Sequence, residues 1–307
     1  MKKKVVVTGA AGFIGSYAVK GLLEKEYDVT AILYQRGNTD PGRQRNVYDI
    51  SDKVNVITGD ICGEDIIENV AGSIGKCDVF IHLAADLNIK GNDKTVLTNC
   101  LGTYHCVKLA EILGAKRFVY MSSIPVIGTP RILPVTEEHP VQPNTLYHVT
   151  KYSGEMIVSQ AVSGSMKTVI LRIPSPIGRG MSNNNYLSFL LQKCKRNEII
   201  EVFGTGSRIQ NYIDVRDIAS AVLQSIYTPD SGVYLIAGKS SISNIELARL
   251  CKELTASESE IISGMREDPE ESDRWIICTD KARQAFGFSP KYELKDTIQW
   301  IADDIII

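Results

Sequence analysis

The sequence predicts an α/β protein built on a doubly wound parallel sheet, with a smaller α/β lobe at the C-terminal end. Short apolar runs alternate with helix-forming stretches through the first half of the chain, as in a parallel sheet covered by helices on both faces. A glycine-rich turn joins the first apolar run to the first helical stretch. After Arg172 the alternation ends, and proline, glycine and asparagine become frequent. We therefore divide the chain into a first domain, residues 1–172, and a second lobe, residues 173–307.

Each element follows from its apolar pattern. Continuous apolar runs, typical of strands buried on both faces, predict strands at Val5–Thr8, Val29–Leu33, Val54–Thr58, Val79–Leu83, Arg117–Ser122 and Thr168–Ile173. Helices are predicted at Gly15–Lys25, Glu64–Val70, Thr95–Leu113 and Tyr147–Val162, and in the second lobe at Tyr186–Arg196, Asp217–Tyr227, Asn244–Leu254 and Leu294–Asp303. Ser243 and Glu246 have the spacing of a capping box, and we expect Asp217 to cap the helix it opens.

Composition narrows the classes of function. The chain has 307 residues and a formal net charge of only -2, which gives no bulk attraction for nucleic acid or an anionic membrane. No run approaches the roughly 20 apolar residues that span a bilayer. Seven scattered cysteines without a CxxC pair, and four histidines without metal spacing, predict reduced thiols and no metal site. We expect a cytoplasmic protein.

The turn at Thr8–Gly15 predicts a dinucleotide-binding (Rossmann-type) first domain. It lies between a buried strand and a helix N-terminus, where free N–H groups and the helix dipole favour a phosphate. Gly9 permits the tight turn, Gly12 lets a pyrophosphate approach the backbone, and Gly15 lets helix and strand pack closely. The residues of this turn that we expect to bind the cofactor are Gly9, Ala11, Gly12, Phe13, Ile14 and Gly15.

Tyr147 and Lys151 form the candidate reactive pair. Residues four apart project from the same face of a helix, and an adjacent ammonium favours the phenolate that a tyrosine base requires. Either Ser122 or Ser123, at the end of the preceding strand, is placed to hydrogen-bond a substrate oxygen. Tyr104 and Lys108 have the same spacing but come before that strand, and we interpret them as helix-surface residues. The set suits hydride transfer between an alcohol carbon and a nicotinamide.

With these motifs in order, the chain resembles the extended short-chain dehydrogenase/reductase family, in particular its nucleotide-sugar epimerase and dehydratase branch. The resemblance spans nearly the whole length and includes TGAAGFIGS at 8–16, Met121–Gly128 and Tyr147-x-x-x-Lys151. Alignment on Val126-x-Gly128 makes Ser123 the implied catalytic serine. The family also implies that residues 208–228 fold back onto the first domain, and that helices near 95–113 and 147–162 form a homodimer interface.

The resemblance implies further cofactor contacts. Gly59-Asp60-Ile61 is similar to the segment that meets the adenine, and His82–Ala85 to the strand end that passes the cofactor. Asn99 is similar to the residue that supports the active-site lysine. The implied cofactor residues beyond the glycine turn are thus Asp60, Ile61, Leu83, Ala84, Ala85, Asn99 and Lys151.

The second strand departs from the family pattern for NAD. Leu33 stands where an acidic residue would bind the adenosine ribose, so the 2′-phosphate of NADP is not repelled. Arg36 follows and is a candidate partner for that phosphate, although a solvated loop cation is an equal interpretation. The cofactor is expected to be NAD or NADP, with a slight preference for NADP.

The substrate-binding positions depart from the pattern as well. Ile124-Pro125 replaces the acid pair of the 4,6-dehydratases, which disfavours water elimination. Ser175 stands in place of an asparagine, and Gln210 in place of a phosphate-binding arginine. Arg208, two residues earlier, is the candidate replacement, and Arg266 is the candidate for a second phosphate contact. Each is equally well interpreted as a surface charge.

Three functions stay open. The first is an NAD(P)-dependent nucleotide-sugar epimerase, most simply of the 4-epimerase type, in which Tyr147 removes a hydroxyl proton and hydride returns to the other face of a keto sugar. The second is a one-way NADPH-dependent reductase of a keto sugar or other small carbonyl compound, using the same residues. The third is a non-catalytic dinucleotide sensor, which would have no need of the proton-transfer set.

Overall fold

The computed structural model describes residues 2–34, 46, 52–63, 66–161 and 166–305. Within them, one seven-stranded parallel sheet carries the first domain. Its strands are β1 (Lys4–Thr8), β2 (Asp28–Leu33), β3 (Asn55–Thr58), β4 (Val79–His82), β5 (Arg117–Ser123), β6 (Lys167–Ile173) and β10 (Gly232–Leu235). Their spatial order is β10-β6-β5-β4-β1-β2-β3. The predicted doubly wound sheet is confirmed.

Helices cover both faces of this sheet because the strands are apolar on both. In β1, Val5 and Val7 pack into one core with the first helix, whereas Val6 packs into the opposite core with Phe80 of β4. The helices of the first domain are Phe13–Glu24, Ile66–Ile74, Asp93–Val96, Gly102–Ile112 and Leu146–Gln160, with a π-helical turn at Leu97–Leu101.

The sheet draws on residues from both sides of Arg172. Helix Val215–Ser225 packs on helix Phe13–Glu24, where Leu223 lies 3.1 Å from the position of a Cβ on Gly21. Strand β10 then pairs with β6 as the seventh strand. The seven-stranded sheet and its helical cover are therefore completed by residues beyond 172. A domain boundary placed at residue 172 does not include them.

The second lobe surrounds a separate apolar core that includes Leu190, Ile200 and Leu247. Its strands are β7 (Ser175–Ile177), β8 (Ile200–Val202), β9 (Ile209–Asp214), β11 (Ser241–Ser243) and β12 (Ile261–Ser263). Its further helices are Tyr186–Lys195, Asn244–Leu254 and Leu294–Ala302, whereas helix Asp280–Phe286 packs through Ala282 into the core of the first domain. None of the helices in the described ranges is long and apolar enough to cross a membrane.

Two helix starts tested the capping predictions. Ser243 accepts from the backbone N–H of Glu246, and the Glu246 carboxylate accepts from Ser243, so the predicted capping box is confirmed. The prediction for Asp217 is wrong, because Asp214 caps that helix by accepting from the N–H of Arg216. Asp217 lies inside the helix, and its carboxylate accepts from the backbone of Lys291 and Tyr292.

Candidate active site

The glycine turn forms a close-packed cradle at the end of β1. Gly9 has φ +70°, and a Cβ there would lie 2.6 Å from the backbone nitrogen of Ala84. A Cβ on Gly15 would lie 2.0 Å from the carbonyl oxygen of Gly9, so only glycine lets the helix begin this close to the turn. Gly12 is the N-cap residue, and no side chain caps the first turn. The helix N-terminus therefore keeps backbone donors for an anion such as a pyrophosphate.

The cradle lies at the topological switch point of the sheet. β2 pairs with one side of β1 and β4 with the other, so their connections leave in opposite directions. A crevice at the carboxyl ends of such strands is where doubly wound folds bind dinucleotides. Leu83, Ala84 and Ala85 follow β4 as half-buried residues at this edge, and the N–H of Leu83 donates to the carbonyl of Thr8 over 3.2 Å.

A buried histidine ties this edge together. His82 Nδ1 lies 2.7 Å from Thr8 Oγ1, and its Nε2 lies 3.0 Å from Thr103 Oγ1. Burial, aided by the charge of Lys151, lowers the pKa of His82 to about 3. The imidazole is therefore neutral and joins β1 and β4 to the helix that carries Thr103.

Asn99 is a buried structural residue of the site. Its Nδ2 donates to the carbonyl of Asp86 and to Thr150 Oγ1, both over 3.0 Å, and its Oδ1 accepts from the N–H of Asp86 over 2.8 Å. The side chain is 1% exposed and its amide is fully used. Asn99 thus holds Thr150, next to Lys151, in agreement with the implied support of the lysine, while its contact with the cofactor stays a prediction.

Tyr147 and Lys151 lie one turn apart on helix Leu146–Gln160, whose N-cap Thr145 accepts from the N–H of His148. Lys151 is buried, with its Nζ 4.3 Å from the centre of the Tyr120 ring. Burial lowers the pKa of Lys151 to about 7, an effect that the charge of Glu155 opposes. The ammonium of Lys151 is therefore poorly solvated, and the lysine loses its proton close to neutral pH.

Tyr147 is half-buried, and burial together with the negative charge of Asp86 raises its pKa. A phenolate at this position consequently needs nearby positive charge, which an ammonium on Lys151 and the cationic ring of an oxidised nicotinamide would supply. Asp86 was not among the predicted residues. Its position, one residue beyond the Leu83–Ala85 strand end, was the signal available in the sequence.

The structure separates the two candidate serines. Ser122 is buried and its Oγ donates to Glu155 Oε1 beneath the sheet edge. Ser123, the next residue along β5, projects to the opposite side and is half-buried at the carboxyl end. Ser122 is thus shielded from solvent, whereas Ser123 is partly accessible, and the catalytic role of Ser123 stays a prediction.

Glu155 is the second residue that sequence reasoning missed. Its carboxylate accepts from Arg172 Nε over 2.9 Å and from Arg172 Nη2 over 2.7 Å, and both side chains are almost completely buried. Glu155 lies four residues after Lys151, just as Lys151 lies four residues after Tyr147, so all three share one face of the helix. This spacing was the sequence signal for Glu155. The pair anchors the Tyr147 helix to β5 and β6.

The alternative tyrosine–lysine pair lies on the surface, as interpreted. Tyr104 is exposed, and Lys108 Nζ donates to Glu111 over 2.9 Å.

The remaining predicted cofactor residues are spread along the crevice. Asp60 is exposed and accepts from the N–H of Cys62, whereas Ile61 is buried under Gly102. Ala11, Phe13 and Ile14 are half-buried at the turn and the first helix. Arg36 lies outside the described residues.

In the second lobe, both predicted phosphate-binding arginines are paired with carboxylates. Arg208 contacts Glu270, and Arg266 Nε lies 3.3 Å from Glu201 Oε1 with its side chain 66% exposed. Gln210 lies beside Arg208, and Ser175 is an exposed residue that opens β7.

Fold and site together define a dinucleotide-binding α/β enzyme with a tyrosine–lysine pair at the mouth of the crevice. A model of the NAD dependent epimerase/dehydratase family matches residues 5–237, and the chain belongs to this family. The predicted membership of the extended short-chain dehydrogenase/reductase family, nucleotide-sugar branch, is confirmed. The sensor hypothesis is not retained, because the homologues are enzymes.

Two curated relatives span almost the full length. The chain is 28% identical to a putative UDP-glucose 4-epimerase of Methanocaldococcus jannaschii, covering 97% of each chain. It is 26% identical to a dTDP-glucose 4,6-dehydratase of Streptomyces niveus, covering 98% of this chain and 93% of the relative.

Solved structures confirm the fold. A UDP-glucose 4-epimerase of Thermotoga maritima, solved with UDP-glucose, matches with a TM-score of 0.87 at 23% identity and covers 98% of this chain and 97% of that one. A UDP-glucuronic acid 4-epimerase of Bacillus cereus, in complex with UDP-glucuronic acid and NAD, matches with a TM-score of 0.86 at 23% identity and covers 98% of both chains.

Proposed function

We propose that this enzyme is an NAD-dependent epimerase of a nucleotide sugar, of the 4-epimerase type. The observation that carries the proposal is the placement of Ser123, Tyr147 and Lys151 at the edge of the sheet where the glycine cradle opens. An alcohol carbon of a sugar can there meet both a proton acceptor and a dinucleotide.

The chain's own residues handle the proton. Ser123 Oγ orients the sugar oxygen, and Tyr147 Oη takes the proton from that hydroxyl as the carbon is oxidised. Lys151 lies one turn along the helix and stabilises the phenolate. A nicotinamide dinucleotide held at the glycine turn would supply the hydride acceptor, and return of the hydride to the other face of the keto sugar would invert the carbon. Tyr147 then returns the proton, so that the cycle is redox-neutral.

One observation favours epimerisation over water elimination. Ile124 is fully buried and Pro125 has no acidic group, so the position after Ser123 lacks the acid and base that water elimination requires. A redox-neutral cycle also agrees with NAD rather than NADP. The slight preference for NADP is dropped, because the structural neighbours that contain a named dinucleotide contain NAD and because Arg36 lies outside the described residues.

A nucleotide sugar is the proposed substrate because relatives across the full length act on such molecules by name. Arg208 and Arg266 are the proposed cations for its diphosphate, each after release from its carboxylate partner. Ser175 and Gln210 lie near the same lobe surface as candidate polar contacts.

The test is incubation of the purified enzyme with UDP-glucose, UDP-N-acetylglucosamine and UDP-glucuronic acid, followed by proton NMR of the products. The proposal expects a mixture of the substrate and its 4-epimer without net formation of NADH. In Tyr147→Phe, turnover should fall by about 10²–10⁴-fold, while NAD affinity stays close to that of the wild type. Stoichiometric NADPH consumption with a keto sugar would instead establish the reductase, and unchanged turnover in Tyr147→Phe would remove the catalytic assignment.

We also propose a homodimer. Exposed apolar side chains line the outer faces of the two helical regions implied by the resemblance: Leu97, Leu101, Tyr104, Val149 and Met156. A second copy packed on them would give a four-helix interface. Light scattering should report the mass of a dimer for the wild type and of a single chain for Leu101→Glu; a single chain for the wild type would contradict the proposal.

A further inference from the structure

The guanidinium of Arg208 is surrounded by oxygen atoms of the chain itself. Glu270 Oε2 contacts Nη2, and Asp268 Oδ1 lies 4.0 Å from Nη1. With its amide oriented so that the oxygen faces Arg208, Gln210 accepts from Nε over 3.0 Å and from Nη2 over 3.2 Å. Each nitrogen of Arg208 therefore faces an oxygen of the protein, at the place proposed for a substrate phosphate.

The segment that carries these carboxylates is fastened at both ends to the chain leading to β9. The N–H of Gly204 donates to the carbonyl of Arg266 over 2.7 Å, and the N–H of Ile209 donates to that of Asp273 over 3.0 Å. These bonds hold the segment over Arg208. Its backbone does not have to move for one of its side chains to turn away.

The two carboxylates differ in how firmly they are held. Asp268 accepts from the N–H of Glu270 over 3.0 Å, and its side chain is 9% exposed, so it is part of a turn. The Glu270 side chain is 45% exposed, and Arg208 is the group that its carboxylate contacts. Glu270 can therefore rotate into solvent at little cost, whereas Asp268 cannot.

We propose that Glu270 is a specificity-determining residue that occupies Arg208 until the diphosphate of the substrate displaces it. The inference rests on the proposed function, which supplies the diphosphate. A neutral sugar gains nothing by displacing a carboxylate from a guanidinium, whereas a diphosphate brings more negative charge to the same donors. Glu270 thus lowers the affinity for every ligand that uses Arg208, and only a ligand with a strong anion displaces it.

The experiment is calorimetric titration of the NAD-loaded full chain with uridine diphosphate. Removing an exposed competing charge in Glu270→Gln should tighten the dissociation constant by about two- to fivefold. Glu267→Gln removes the same charge from an exposed position of the same segment, without the contact to Arg208, and should bind as the wild type does. In an Arg208→Met background, Glu270→Gln should no longer tighten binding.

Each contrary outcome has its own meaning. Equal or weaker binding by Glu270→Gln, or equal tightening by Glu267→Gln, overturns the role of Glu270 while binding of uridine diphosphate still supports the proposed substrate class. Tightening that persists in the Arg208→Met background overturns it as well. If the wild type does not bind uridine diphosphate and turns over sugars that lack a diphosphate, the proposed function fails and this inference fails with it.

Discussion

Replacing Glu155 by glutamine tests how the Tyr147 helix is held against the sheet. The carboxylate accepts two bonds from Arg172 and one from Ser122, all almost fully shielded from solvent. Glutamine keeps the shape but removes the charge, and its amide nitrogen faces the donors of Arg172. Arg172 Nη1 is already buried without a partner, so the guanidinium would be left largely uncompensated. Breaking a buried ion pair in this way costs about 3–5 kcal/mol.

The assay is urea unfolding followed by circular dichroism, with Glu111→Gln as the matched control. Glu111 forms its ion pair with Lys108 on the surface, where the two side chains are 27% and 45% exposed. Loss of that pair should cost about 0–1 kcal/mol. A loss below about 1 kcal/mol in Glu155→Gln, or one equal to the control, would refute the assignment of Glu155 and Arg172 as the anchor of the helix.

Two further predictions concern the cradle and the lysine. In Gly15→Ala the new Cβ would lie 2.0 Å from the carbonyl oxygen of Gly9, so NAD binding measured by calorimetry should be lost. The control is Gly72→Ala, whose Cβ meets nothing within 4 Å and which should bind NAD as the wild type does. Retained binding in Gly15→Ala would contradict the close packing. Burial lowers the pKa of Lys151 from 10.5 in the unfolded chain to about 7 in the folded chain. Between these two pH values the unfolded chain holds a proton that the folded chain lacks. The free energy of unfolding therefore falls as the pH is lowered through this range. Lys151→Met should remove this part of the pH dependence when unfolding is compared at about pH 7 and about pH 9. An unchanged pH dependence would contradict a buried lysine with a lowered pKa.

Local sequence was enough wherever a residue's neighbours in the chain decide its structure. The glycine turn, the capping box at Ser243 and the Tyr147 helix are of this kind. Each depends on backbone conformation or on spacing within one or two turns, so the pattern alone predicts the element and places its side chains.

Contacts between distant parts of the chain were beyond that reasoning. Asp217 was expected to cap its own helix, but it binds the backbone at Lys291, 74 residues away. Arg208 was left open between a phosphate contact and a surface charge, because its carboxylate partner Glu270 comes from another segment. The burial of Asn99 comes with bonds to Asp86 and Thr150, 13 and 51 residues away along the chain, which no local pattern encodes.

Identification by mass of the dinucleotide released when freshly purified protein is denatured tests the central claim most directly. Redox-neutral epimerisation predicts NAD or NADH at close to one molecule per chain, because the cofactor is regenerated in place and need not leave. Recovery of NADP or NADPH, or of a protein that carries no dinucleotide, would contradict the account, because the cofactor would then exchange as a co-substrate of a one-way reduction.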